Sequence, residues 1–103
     1  MLNSAKKHKA ELSSIAKKHF VEKLYLFGSA TNENFDIETS DLDFVVEFSK
    51  ELPLLDYADN FFSLKDALEQ LFNRKVDLLT TSSIKNEILL KEIENSKVEL
   101  YAA

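Results

Sequence analysis

The chain of 103 residues carries 13 basic and 18 acidic side chains, and its net charge of −5 argues against general nucleic-acid binding, which requires clustered cations. It contains no cysteine, which excludes disulfides and thiolate metal sites, and no stretch approaches the roughly 20 apolar residues of a membrane span, so we expect a cytoplasmic location. The length predicts a single domain over residues 1–103 with one two-layer core and no separate acceptor-binding domain.

The first half of the chain predicts a helix followed by two strands. Apolar spacing favours a helix from Asn3 or Ser4 to about His19, with lysines on its outer face and both histidines, His8 and His19, at the surface. Residues 21–27 are rich in strand-forming side chains and stop at Gly28, the only glycine. A polar loop up to Ser40 then leads to a second strand.

The second strand, residues 41–48, is predicted to have two different faces. Alternation along a strand places side chains two apart on one face, so Leu42, Phe44, Val46 and Phe48 form a core face. The opposite face begins with two carboxylates and consists of Asp41, Asp43, Val45 and Glu47. Of these, Glu47 is expected to point into solvent.

The second half predicts helix, strand, helix and a short final segment. Residues 54–72 have a helical apolar rhythm, from Leu54 on, as one long helix or two short ones that meet near Ser63. Residues 74–80 predict a third strand with Asp77 in its middle as a buried or cleft-lining acid. A helix capped by Ser82 or Ser83 should follow, and residues 98–101 add a last strand or lie against the sheet.

Three aspartates are candidate metal ligands. Aspartate is uncommon in strands, and Asp41 and Asp43 point to one side, where their charges repel unless a cation lies between them. Hard oxygen ligands suit Mg²⁺, with Mn²⁺ as an alternative. With Asp77 on a neighbouring strand the set could hold two ions, as two-metal nucleotidyl transfer requires.

The turn after the first strand is a candidate phosphate site. Gly28 lacks a Cβ and lets backbone amides approach phosphate oxygens, and Ser29 adds a hydroxyl donor. Taken singly, each feature has an ordinary interpretation: a strand-ending turn for Gly28 and Ser29, a cap or edge acid for Asp41, and an ion pair with Arg74 or Lys75 for Asp77. Their order along the chain favours a nucleotidyl-transfer site.

The motifs Leu26-Phe-Gly-Ser29, Ser40-Asp-Leu-Asp43 and Lys75-Val-Asp-Leu78 resemble those of the minimal nucleotidyltransferase (MNT) family of the DNA polymerase beta superfamily. The resemblance covers nearly the whole chain. It implies an α/β (α+β) fold, a small mixed β-sheet flanked by helices. It also implies Mg²⁺-dependent transfer of a nucleotidyl group from ATP or another nucleoside triphosphate with release of pyrophosphate.

The resemblance also implies residue roles and a partner. Gly28 and Ser29 would hold phosphates, Asp41 and Asp43 both ions, and Asp77 would bind the catalytic ion and activate the acceptor hydroxyl. Members of the family are commonly antitoxins whose partner toxin is a HEPN-domain ribonuclease, and some adenylylate a tyrosine on that toxin. We therefore expect a protein partner; homo-oligomers and hetero-oligomers both stay open.

The loop after Ser29 departs from the family pattern. The spacing to Asp41 is one residue longer than usual, and a basic residue and a second glycine are replaced by residues 30–34, which include Glu33. One lost charged hydrogen bond to the triphosphate is worth roughly 1.5 to 3 kcal/mol. The alternatives are therefore a weak or inactive antitoxin that neutralises its partner by binding alone, and an enzyme that modifies a small molecule such as an aminoglycoside.

Overall fold

The computed structural model describes residues 7–27 and 42–103. Within these ranges helices and strands succeed one another in the order α1 (Lys9–Lys18), β1 (Val21–Phe27), β2 (Leu42–Phe48), α2 (Tyr57–Phe72), β3 (Val76–Thr80), α3 (Glu87–Ser96) and β4 (Val98–Ala102). Short 3₁₀ turns precede α2 and α3, at Leu54–Asp56 and Thr81–Ser83. The strands correspond closely to the predicted ones, and the final segment forms a strand.

The four strands form one mixed sheet in the order β3-β2-β1-β4. β1 runs antiparallel to both β2 and β4, whereas β2 and β3 are parallel. Parallel neighbours need a crossover connection, and α2 supplies it. The predicted fold class, a small mixed sheet flanked by helices, is confirmed.

The main core lies between the sheet and helices α1 and α2. Leu42, Phe44 and Val46 are fully buried on this face of β2, as their alternation predicts. Further buried side chains come from every neighbouring element: Leu12, Ala16, Val21, Leu24, Leu26, Leu64, Leu68, Phe72, Val76 and Leu78. This layer stabilises the strands whose opposite face carries the acids.

The opposite face of the sheet carries a second, smaller core under α3. Phe27, Val45 and Ile93 are buried there, and Leu79 and Leu89 pack against them. The sequence places Val45 on the acidic face, and the structure shows that this face is apolar beyond the acids because α3 covers it.

Of the two alternatives for residues 54–72, the single long helix is confirmed, because α2 is continuous through Ser63. Two other predictions about the helices are corrected. Leu54 is 86% exposed in the turn before α2 instead of belonging to an apolar helical face. Neither Ser82 nor Ser83 caps α3, because both lie in the 3₁₀ turn. The cap is Asn86, whose side chain accepts hydrogen bonds from the amides of residues 88 and 89 at 2.9 and 3.2 Å.

His19 is buried, contrary to the surface position predicted for it. Its Nδ1 lies 2.7 Å from the carbonyl of Ile15, which can only accept, so Nδ1 carries the proton. Its Nε2 lies 2.9 Å from the hydroxyl of Ser63, and the Asn60 amide donates to the His19 carbonyl. His19 therefore joins the end of α1 to the middle of α2. His8 is half-buried, with its ring edge-on to Phe72.

No helix in the described part of the chain is long and apolar enough to cross a membrane.

Asn86→Ala should lower the free energy of unfolding by about 1 kcal/mol, because two amides at the start of α3 lose their acceptor. Asn86→Ser keeps a capping oxygen and should stay within about 0.5 kcal/mol of the wild type. Urea unfolding followed by circular dichroism measures both. Equal losses for the two variants would contradict the capping role.

Candidate active site

Two of the predicted acids face each other across neighbouring strands. In the parallel pairing of β2 with β3, Asp43 lies directly opposite Asp77. Strand neighbours are about 4.8 Å apart in the sheet, and paired residues point to the same face. The structure therefore brings together two carboxylates that are 34 residues apart in the sequence.

Backbone contacts at the start of both strands set this register. The amide of Leu42 donates to the carbonyl of Lys75 at 3.0 Å, and the amide of Val76 donates to Oε2 of Glu69 in α2 at 3.0 Å. Helix α2 ends at Asn73, which adopts the left-handed conformation (φ 53°) and reverses the chain into β3. The end of the crossover helix thus positions Asp77 beside Asp43.

The two carboxylates differ in exposure. Asp43 is half-buried, and Asp77 is exposed, so Asp77 is not the buried acid that the sequence allowed for. Both stand at the N-terminal ends of their strands, before the buried Val45 and the half-buried Leu79 on the same face. The acids therefore sit at the open margin of an apolar face, where a charged ligand can reach them.

Gly28, Ser29 and Asp41, the other predicted site residues, lie outside the described residues. The residues before Gly28 and after Asp41 in the sequence are among the described ones. Phe27, which precedes Gly28, pairs with Asp43 in the antiparallel β1–β2 ladder, and Asp41 directly precedes Leu42. The described residues next to both predicted motifs in the sequence, Phe27 and Leu42, thus lie beside Asp43.

The described acids supply part of the ligand set of a hard divalent cation. Asp43 and Asp77 offer oxygen ligands on one face, which is the ligand type that Mg²⁺ and Mn²⁺ take. Among the residues that the structure describes, no group of three or more potential ligands is close enough to hold an ion. Glu47 on the same face of β2 is exposed and lies four positions from Asp43, in agreement with its expected solvent-facing position.

An apolar pocket beside β3 escaped the sequence analysis. It has a volume of about 300 Å³ and lies between the start of α2 and the end of β3, lined mainly by Tyr57, Phe61, Phe62, Leu78 and Leu79. A sequence signal existed: Phe62 falls outside the apolar stripe of α2, and it is 60% exposed. An aromatic side chain outside the core face of a helix indicates a surface with another use.

Comparison with known proteins gives consistent matches over nearly the whole chain. Residues 10–103 match the family described as Polymerase beta, Nucleotidyltransferase. A relative in Methanocaldococcus jannaschii, provisionally named a protein adenylyltransferase, is 36% identical over 94 residues, which are 90% of this chain and 87% of the relative.

Solved structures match the fold. A structure described, again provisionally, as a minimal nucleotidyltransferase has a TM-score of 0.71 and 27% identity, and the match covers 94% of this chain and 93% of that one. A chain in a complex of a tri-AMPylated Shewanella oneidensis HEPN toxin with an MNT antitoxin has a TM-score of 0.64 at 17% identity, covering 96% and 73%. The latter likeness concerns the fold alone.

Asp77→Asn should abolish the stabilisation of the protein by Mn²⁺ or Mg²⁺, because it removes one of two facing carboxylates. For the wild type, an ion at ten times its Kd adds about 1.4 kcal/mol to the free energy of unfolding. Thermal unfolding with and without the ion measures the difference. Glu47→Gln, an exposed acid on the same face, is the matched control and should keep the wild-type response. A response retained by Asp77→Asn would remove Asp77 from the ion site.

Proposed function

Because the chain belongs to the polymerase beta nucleotidyltransferase family, we propose that it transfers AMP from ATP to a hydroxyl group, most specifically a tyrosine of a HEPN-domain ribonuclease toxin. Its classification as a nucleotidyltransferase, predicted from the Gly-Ser and Asp-X-Asp motifs, is confirmed by the family match. The nucleotide, the acceptor and the antitoxin role are the proposed part.

The single observation that carries the proposal is the pairing of Asp43 with Asp77 on adjacent strands. Two acids that face each other at the open margin of a sheet repel, which lowers the free energy of unfolding. A surface with only a structural role gains nothing from this repulsion. In a site that binds cations and phosphates, the paired carboxylates have a role, because a bound cation offsets their repulsion. The relatives named as protein adenylyltransferases support ATP as the donor and a protein as the acceptor.

The proposed reaction forms one bond and breaks another at the α-phosphorus of the nucleotide. The acceptor oxygen attacks phosphorus, the bond from phosphorus to the oxygen bridging the β-phosphate breaks, and pyrophosphate leaves with that electron pair. Asp77, as the exposed carboxylate, accepts the proton of the acceptor hydroxyl. Asp43 orients the nucleotide from the half-buried side, and Gly28 and Ser29 hold its phosphates.

Mg²⁺ or Mn²⁺ bound by Asp41, Asp43 and Asp77 would lower the pKa of the acceptor hydroxyl and neutralise charge on the triphosphate. Both described ligands stand on rigid strands whose register is set by backbone hydrogen bonds. The backbone positions of the two aspartates are therefore fixed before any ligand binds, which reduces the conformational entropy lost on binding.

The proposed partner is a HEPN-type toxin, for two reasons. The chain shares its fold with a chain in a toxin-antitoxin complex whose toxin carries three AMP groups. It also exposes large apolar side chains, with Leu55 96% and Phe62 60% accessible, as a surface that contacts another protein would.

Incubation with Mg²⁺, α-labelled ATP and the protein encoded by the neighbouring gene should transfer label to that protein. Asp43→Asn combined with Asp77→Asn should lower the rate about 100-fold or more, because both the proton acceptor and the ion ligands are lost. Asp66→Asn, an exposed acid on α2, is the control and should transfer at the wild-type rate. Equal transfer by the double variant would refute this assignment of the acids.

The second candidate function is an antitoxin that neutralises its partner by occlusion without transfer. The same exposed apolar side chains, Leu54, Leu55 and Phe62, favour it, because binding alone requires such a surface and no chemistry. Toxin neutralisation in cells that survives Asp43→Asn with Asp77→Asn, together with absence of label transfer, would favour this candidate over the enzyme.

A further inference from the structure

Within residues 7–27 and 42–103, strand β3 has one edge without a strand partner, and Asp77 of the candidate active site belongs to this strand. β3 is the terminal strand of the sheet, and among the described residues it pairs with β2 alone. Its other edge presents backbone amides and carbonyls that an extended polypeptide can bind. A strand added at this edge would place one of its residues next to Asp77.

The apolar pocket is lined by the residues of β3 that directly follow Asp77, in the terminal strand of the sheet. Its floor includes Leu78 and Leu79, and its wall is formed by Tyr57, Phe61 and Phe62 of α2. The exposed aromatic Phe62 and an apolar pocket of about 300 Å³ fit an aliphatic or aromatic side chain. The lining from β3 thus begins at Leu78, the residue after Asp77.

Most of the pocket lies on the face of β3 opposite to Asp77. Asp77 and Leu79 point to the face covered by α3, whereas Leu78 belongs to the main core and lines the pocket from the side of α2, together with the α2 aromatics. Residues on an added strand alternate in the same way as those of β3. In an added strand, the residue next to Asp77 points to the α3 side. The residues one and three positions away from it in that strand therefore point toward the α2 side, where most of the pocket is.

We propose that the free edge of β3 binds an extended segment of the acceptor protein, with the acceptor hydroxyl beside Asp77 and an apolar side chain in the Tyr57–Phe61–Phe62 pocket. The inference rests on the proposed function, in that the segment carries the acceptor. It adds a sequence rule: the acceptor residue and the apolar anchor are separated by an odd number of positions. The rule holds for either direction of the segment, because alternation does not depend on strand polarity.

Two nine-residue peptides of identical composition test the rule. Each has a central tyrosine, four leucines and four glutamines. One peptide carries leucine at positions −3, −1, +1 and +3 from the tyrosine, and the other at −4, −2, +2 and +4. Binding is measured by fluorescence anisotropy without nucleotide, and AMP transfer with Mg²⁺ and labelled ATP. We expect both peptides to bind, because a shift by one residue can turn the leucines of either peptide toward the pocket. Only the first peptide can place its tyrosine beside Asp77 and a leucine in the pocket at the same time, so it should accept AMP about tenfold faster, the effect of one buried apolar side chain.

Phe62→Ala should weaken the binding of both peptides about tenfold, because the pocket loses its exposed aromatic wall, and leave the KM for ATP unchanged. Ile88→Ala removes an exposed apolar side chain from α3, outside the pocket, and should bind both peptides as the wild type does. Circular dichroism verifies that both variants fold, and the peptide pair tests the wild type without any variant.

Equal and measurable rates of AMP transfer to the two peptides, or peptide affinities that Phe62→Ala leaves unchanged, would overturn the inference. A raised KM for ATP in Phe62→Ala, with peptide binding unchanged, would overturn it in favour of a pocket that stacks the nucleobase. The binding measurement is independent of transfer. If the peptides bind as expected but neither they nor the neighbouring protein accept label, the transfer reaction fails while the docking of an extended segment stands.

Discussion

The parallel pairing of β2 with β3 places two negative charges opposite each other, and the rest of the described structure makes that pairing persist. The carboxylates of Asp43 and Asp77 repel at strand spacing, so the register must be held by other contacts. The hydrogen bonds of the Leu42 and Val76 amides and the buried face beneath both strands supply them. An arrangement that is unfavourable by itself is thus stabilised by its surroundings, as is common at functional sites.

Helix α2 connects the core, the acids and the pocket. Its buried side anchors the sheet through Leu64 and Leu68, and its end hydrogen-bonds to the start of β3 through Glu69. Its beginning, with Phe62 on the solvent side, forms the wall of the apolar pocket. The crossover that a parallel pair of strands requires therefore also supplies a surface for a partner.

Much of the fold follows from local patterns, and the errors have physical reasons. The alternation in β2 predicted correctly which side chains share a face, because successive residues of a strand point to opposite faces. It did not predict that α3 buries Val45 on the face that carries the acids. By residue type, Ser82 or Ser83 is as good a cap for α3 as Asn86. In the structure both serines lie in the 3₁₀ turn, and the side chain of Asn86 accepts the hydrogen bonds at the start of the helix. His19 was placed at the surface because burial of an imidazole depends on a partner 44 residues away.

The sequence alone determined which chemical groups this protein has: one glycine followed by serine, aspartates at alternating positions ahead of an apolar strand, and a third aspartate in another strand. Side-chain alternation and residue chemistry are local properties, and they suffice to predict the family. Only the tertiary structure decided that Asp77 stands opposite Asp43. It also decided that β3 is the terminal strand among the described residues, and that the residues after Asp77 line an apolar pocket. Register between distant strands, and what remains uncovered, depend on how α2 packs on the whole sheet, which no single stretch of sequence specifies.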